Sequence, residues 1–209
     1  MIDVTGQINA VRRRVGDRVL EAGTARTVTV SQTYGTTAED LWDACTNPER
    51  IRRWFLPVTG DLRVGGRYQL EGNAGGTVET CDPPKGFTAT WEFGGQTSWI
   101  EVRVTPEADD RARFELEHIA LVDDHWEQFG PGAVGIGWDM GLLGLALHLS
   151  SDAGKPDLGP EWQESDEAKE FMRQSNEGWY EADVAAGAEP GEARTRADNT
   201  IAAYTGSAE

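Results

Sequence analysis

Only three histidines occur in the 209 residues, so each can be weighed for acid–base or metal chemistry. His118 and His125, with Asp123, Asp124 and Glu127, form a cluster of metal-type ligands. The two histidines stand seven residues apart across an expected strand end, not at the i, i+4 spacing of a helical metal site. The cluster therefore reads as a solvated acidic loop, with no metal assigned. His118 shares a strand face with Phe114 and Leu116, as a hydrogen-bonded core or pocket histidine would; ligand contact or proton transfer is the alternative. Gly130-Pro131-Gly132-Ala133-Val134-Gly135 matches G-x-G-x-x-G, but that fingerprint needs a parallel strand directly before it. Here Asp123 to Phe129 intervenes, so these glycines read as the entry to a packed helix. No Ser-His-Asp ordering, nucleophile elbow, phosphate loop or C-x-x-C occurs. No catalytic residue, cofactor or metal is assigned.

The elements that would position these groups are mostly short strands. Thr27 to Tyr34 alternates and is rich in β-branched residues. Thr36-Thr37-Ala38-Glu39-Asp40 predicts a capped helix with Leu41, Trp42 and Cys45 on its apolar face. Asn47-Pro48 opens a second short helix, ending near Trp54 to Pro57. Strands follow at Arg67–Glu71, Thr77–Cys81, Phe87–Phe93, Thr97–Thr105 and Arg111–Leu121. Hairpin-length turns separate them and predict an antiparallel meander. Alternation puts Phe87, Ala89, Trp91 and Phe93 on one side of their strand, and Phe114, Leu116 and His118 on one side of theirs. From Pro131 a helix carries Trp138, Leu142, Leu145 and Leu149 as a stripe, which an antiparallel sheet would cover. Residues 1–24 place Ile8, Val11, Val15 and Val19 at helical spacing around Gly16, and Arg12-Arg13-Arg14 reads as a solvated terminus, Arg52-Arg53 as a helix face. After a loop-like run from Ser150 to Pro160 the chain turns helical, with 14 acidic and 5 basic residues over 151–209.

Composition narrows the partners. Asp and Glu outnumber Lys and Arg by 36 to 19, giving a net charge of −17. Such a surface repels phosphate backbones and anionic lipid, so neither nucleic acid nor membrane insertion is expected. The first twenty residues predict no signal peptide. The longest apolar run, Gly141 to Leu149, falls short of the roughly 18 residues of a membrane span. Cys45 and Cys81 sit in no paired motif and read as reduced thiols, with a disulfide as the alternative, so a cytoplasmic location is expected.

Several segments resemble the START-like, or Bet v 1-like (SRPBCC), superfamily, and within it the branch named for activators of heat-shock-protein ATPase. The resemblance rests on Tyr34 to Trp42, Asn47 to Phe55, Asp61 to Tyr68, Gly76 to Glu79, Pro84 to Trp91, Arg113 to His118 and Gly137 to Leu143. In order and spacing these cover about residues 26–150. The resemblance implies an α+β helix-grip fold, a curved antiparallel sheet wrapped around a long C-terminal helix. It also implies a hydrophobic or amphipathic small molecule held between sheet and helix.

The sequence is thus expected to form a single domain over 1–209, with a helix-grip core at 26–150 and an acidic, mainly helical extension at 151–209. The cavity wall is assigned to Trp54, Phe55, Tyr68, Trp91, Phe93, Phe114, Leu116, His118, Trp138 and Leu142. Tyr68 and His118 supply the polar groups that orient the ligand. Burying about 300 Å² of apolar ligand surface offers several kcal/mol before ordering costs. The expected role is ligand binding without catalysis. The alternatives are a polyketide aromatase/cyclase-like enzyme using the same cavity and a chaperone-ATPase regulator. Residues 151–209 would serve a homodimer or a protein partner.

Overall fold

The computed structural model describes residues 2–150 and 158–206. Its elements are α1 (Val4–Ala10), β1 (Arg12–Leu20), β2 (Gly23–Tyr34), α2 (Ala38–Thr46), α3 (Pro48–Ile51), β3 (Val58–Gly60), β4 (Arg67–Leu70), β5 (Gly75–Asp82), β6 (Gly86–Phe93), β7 (Gln96–Ala108) and β8 (Arg111–Leu121), then α4 (Asp124–Phe129), α5 (Gly132–Leu149), α6 (Pro160–Gln163), α7 (Asp166–Ala185) and α8 (Pro190–Thr205). The strands form one sheet in the order β1-β2-β8-β7-β6-β5-β4-β3. From β3 to β8 each strand pairs antiparallel with its sequence neighbour, the meander that the short turns predict. Register shifts at Val78/Thr80 and Pro106/Ala108 bend their strands locally.

Side-chain chemistry sets the helix starts. Thr37 caps α2 by accepting from the Asp40 N–H, and Glu39 and Asp40 lie in the first turn. Asn47 accepts from the Glu49 N–H, and Pro48 occupies the position where its missing N–H costs nothing. This second helix is shorter than expected: α3 stops at Ile51 and the chain reaches Trp54 through turns.

Three expectations are corrected. The spacing of Val11, Val15 and Val19 does not mark a helix. Residues 12–20 are the edge strand β1, with Val15 buried and Val19 89% exposed. Arg13 is not solvated: its side chain is 7% exposed because a buried carboxylate, Asp139, offers it an ion pair. The acidic segment after β8 is not a loop but helix α4, which Asp123 caps through the Trp126 N–H at 2.9 Å. Most of the loop-like run from Ser150 to Pro160 lies outside the described residues.

The described residues group into two compact units. The first holds the chain up to Val30, Leu121–Leu143 and the helices after residue 158. Helix α7 organises it. Ala168, Phe171, Met172, Ser175, Asn176, Trp179 and Asp183 recur every three or four residues and are all buried. Trp179 lies so close to α5 that a Cβ at Gly135 would run into its ring, so glycine at this position makes room for that packing. Asp139 is fully buried. Its Oδ2 accepts from Arg13 Nε at 2.8 Å, from Trp179 Nε1 at 3.1 Å and from the Ser175 hydroxyl. Burial raises the Asp139 pKa, and Arg13, Ser175 and Trp179 oppose that rise. Tyr204 donates to the Ala133 carbonyl at 3.0 Å, so α8 is tied to α5 as well.

Helix α5 is eighteen residues long with a mean hydropathy of 1.3, long and apolar enough to cross a membrane, a longer stretch than the nine-residue run. Half of it is buried inside the protein, and the ion-paired Asp139 at its middle suits a core helix. The second unit holds Ser31–Ala120 and the end of α5 from Gly144. There a Cβ at Gly144 would collide with the Trp54 carbonyl, so glycine lets the helix end approach the turn after α3.

Candidate functional site

Register defines one face of the sheet in the second unit. Phe87 pairs with Val102, Ala89 with Ile100 and Trp91 with Ser98. Val104 pairs with Phe114, Val102 with Leu116 and Ile100 with His118. Directly paired residues point to the same side, so these side chains share a face. Thr88, Glu101, Arg103 and Glu115 take the other, where Arg103 pairs with Glu101 at 2.5 Å and with Glu115 at 2.9 Å. Tyr68 stands opposite Gly76, and Gly75 opposite Glu92, which brings Tyr68 into the row of Trp91. A Cβ on Gly76 would meet the Thr90 carbonyl, and the Tyr68 hydroxyl donates to that same carbonyl at 2.6 Å.

The polar groups on this apolar face form a short chain. Ser98 Oγ donates to the Trp91 carbonyl at 3.1 Å and lies 2.8 Å from His118 Nε2. A serine hydroxyl has one proton, so with that proton on Trp91 the Nε2 of His118 must be the donor. His118 is 5% exposed, and burial lowers its pKa to about 4. It is therefore neutral near pH 7 and cannot serve Ser98 as a general base through Nε2. The Trp91 ring meets the imidazole edge-on at 6.1 Å. Burial pushes the Tyr68 hydroxyl up to about 12, so it too stays protonated.

Tyr68, Phe114, Leu116 and His118 are buried together and Trp91 is half-buried beside His118. Phe93 is not in this group: at the end of β6, beside the Gly94-Gly95 turn, it is 59% exposed. Trp54 and Phe55 are half-buried with their rings 5.5 Å apart, and Trp54 Nε1 donates to the Ala44 carbonyl at 2.9 Å. Trp138 and Leu142 belong to the part of α5 in the first unit, half-buried and 2% exposed respectively. The histidine–acid cluster is divided by β8 and α4. His118 bonds to Ser98, Asp123 caps α4, and the His125 ring lies tilted against Phe129 with centres 4.9 Å apart.

A family model described as Activator of Hsp90 ATPase homolog 1-like protein matches residues 35–149. The chain belongs to this family. Two structures of CalU16 from Micromonospora echinospora agree with the assignment. The crystal structure is 33% identical with a TM-score of 0.67, covering 83% of this chain and 98% of its own. The solution structure is 34% identical with a TM-score of 0.70, covering 85% and 97%. EF2215 from Enterococcus faecalis, 12% identical over 88% of this chain and 96% of its own, has a TM-score of 0.63 and shares the fold alone. No curated protein matches the chain.

The fold of this Hsp90-ATPase-activator-like chain is accordingly the α+β helix grip expected from its sequence. The family match runs from the end of β2 to the end of α5, so α6, α7 and α8 lie outside the matched range. Sequence reasoning missed two polar partners. Ser98 belongs to no motif; only its register opposite Trp91, two residues along β7 from the partner of His118, could have flagged it. Arg50 lies within the resembling segment Asn47 to Phe55, where no sequence signal marks its partners. It donates from Nε to His148 at 3.2 Å and from Nη1 to Asp40 at 2.7 Å and Asp43 at 3.0 Å, which holds the Asp40 carboxyl below its usual pKa.

Proposed function

We propose that this chain binds one small hydrophobic or amphipathic molecule in the interior of its helix grip and catalyses no reaction on it. The supporting observation is an apolar sheet face carrying His118, Ser98 and Tyr68, all uncharged near neutral pH and two of them already bonded to backbone carbonyls. Neutral, oriented polar groups on an apolar wall suit an amphipathic guest, because they fix its orientation without a charge to desolvate. The same proton arrangement argues against an activated serine, and so against covalent catalysis through Ser98. The two cysteines are free thiols, which fits the reducing cytoplasm.

The test is a titration with the uncharged fluorophore N-phenyl-1-naphthylamine. Saturable one-to-one binding in the micromolar range is expected, abolished in Leu116→Trp, whose larger ring fills the interior, with the circular dichroism spectrum retained. Absence of saturable binding to the wild-type chain overturns the reading. The family name supplies a second reading, regulation of a chaperone ATPase by protein contact. It predicts a changed Hsp90 turnover rate on adding this chain, and an unchanged rate removes it.

A further inference from the structure

The first unit carries a cleft of about 560 Å³ in which residues of β1, β2, α4 and α8 converge. One wall is apolar, made by Trp126 and by Val122, which is 41% exposed. Arg26 lies over the Trp126 ring, its guanidinium carbon 5.3 Å from the ring centre.

The charges of the cleft fall into two sets. Arg26 pairs with Asp17 at 2.5 Å and stands 3.6 Å from Asp183. Arg196 donates to Asp183 from Nη2 at 2.9 Å and from Nε at 3.3 Å, and Asp183 is 1% exposed. The charges of the two guanidinium groups are thus balanced by two carboxylates, which disfavours an added anion. Glu127 and Glu192 also line the cleft. Glu192 approaches Arg196 only to 4.0 Å, with its own side chain 73% exposed, which makes a weak contact in water. The N-terminus of α8 would otherwise attract an anion, but Glu189 already accepts from the Glu192 N–H at 2.9 Å.

The geometry points to a binding site for a small organic cation, an ammonium group carried on a flat apolar body. The body rests on Trp126 and Val122, and the ammonium sits between Glu127 and Glu192. The net charge of −17 raises the local concentration of such a cation before it docks. This site lies wholly within the first unit and does not depend on the interior ligand proposed above.

Calorimetric titration of the full chain with three indoles of matched size tests it: tryptamine, uncharged tryptophol and anionic indole-3-propionate. Tryptamine is expected to bind one-to-one, about tenfold or more tighter than tryptophol, with indole-3-propionate weaker still, the factor one charge-assisted contact gives. The surface variant E127Q/E192Q should lose about that factor for tryptamine and none for tryptophol. Tryptophol binding as tightly as tryptamine, an unchanged tryptamine affinity in E127Q/E192Q, or no saturable heat with tryptamine would each overturn the proposal.

Discussion

Replacing Arg13 by Met removes the cation that pairs with the fully buried carboxylate of Asp139. At the 2.8 Å separation of Nε and Oδ2, an effective dielectric near 20 gives about 6 kcal/mol of gross attraction. Loss of one partner from a buried pair costs about 3–5 kcal/mol net, because the remaining charge stays desolvated. That is a large part of the roughly 5–15 kcal/mol that holds a domain folded. Urea unfolding followed by circular dichroism should therefore show a much lower midpoint for Arg13→Met at neutral pH. Burial already raises the pKa of Asp139, and removing Arg13 raises it further. A carboxyl whose folded pKa is raised binds its proton more readily folded than unfolded, so its destabilising effect shrinks as pH falls. The deficit of Arg13→Met should accordingly narrow in acid. Asp139→Asn alone strands the guanidinium instead. The double variant removes both charges and should cost about 2 kcal/mol less than the two single losses added together. Additive losses, or a cost below about 1 kcal/mol for Arg13→Met, would refute the view that this pair ties β1 to α5.

Four further outcomes follow from single residues. His118 has its pKa lowered from 6.5 to about 4, so the unfolded chain takes up its proton first and stability falls as pH drops through that window. Wild type should lose about 3 kcal/mol more than His118→Gln between those limits, measured by urea unfolding at each pH. Gly144→Ala drives a methyl group into the Trp54 carbonyl and should cost about 2 kcal/mol in thermal unfolding. Gly137→Ala, whose nearest neighbour is the Tyr204 hydroxyl at 3.8 Å, should gain about 0.5–1 kcal/mol as an ordinary helical glycine replacement. Ellman's reagent should label exposed Cys81 at once. Cys45, buried and with its thiol pushed up to about 12, should react only on unfolding.

The meander and the two short helices were legible because their signals are local. Alternation on a half-buried sheet has a period of two, and Thr37 and Asn47-Pro48 announce helix starts within four residues. Strand β1 was not legible, since its buried Val15 is surrounded by arginines and interrupted by Gly16. What makes Arg13 an interior residue is Asp139, 126 positions away, which no window along the chain can reveal. The shared face of Tyr68, Trp91, Phe114, Leu116 and His118 could be read by counting register from the turns. Ser98 could not, because a lone serine acquires meaning only from the Trp91 carbonyl and the His118 ring beside it. The cleft at Trp126 was likewise invisible, since its walls come from four separate elements.

Native mass spectrometry of the chain, freshly purified without organic solvent, tests interior binding most directly. The predicted result is a second mass series, heavier than the apoprotein by one small molecule, that collapses to the bare chain on denaturation and is missing from Leu116→Trp. A single series at the mass of the bare chain, unchanged after incubation with N-phenyl-1-naphthylamine, would contradict it.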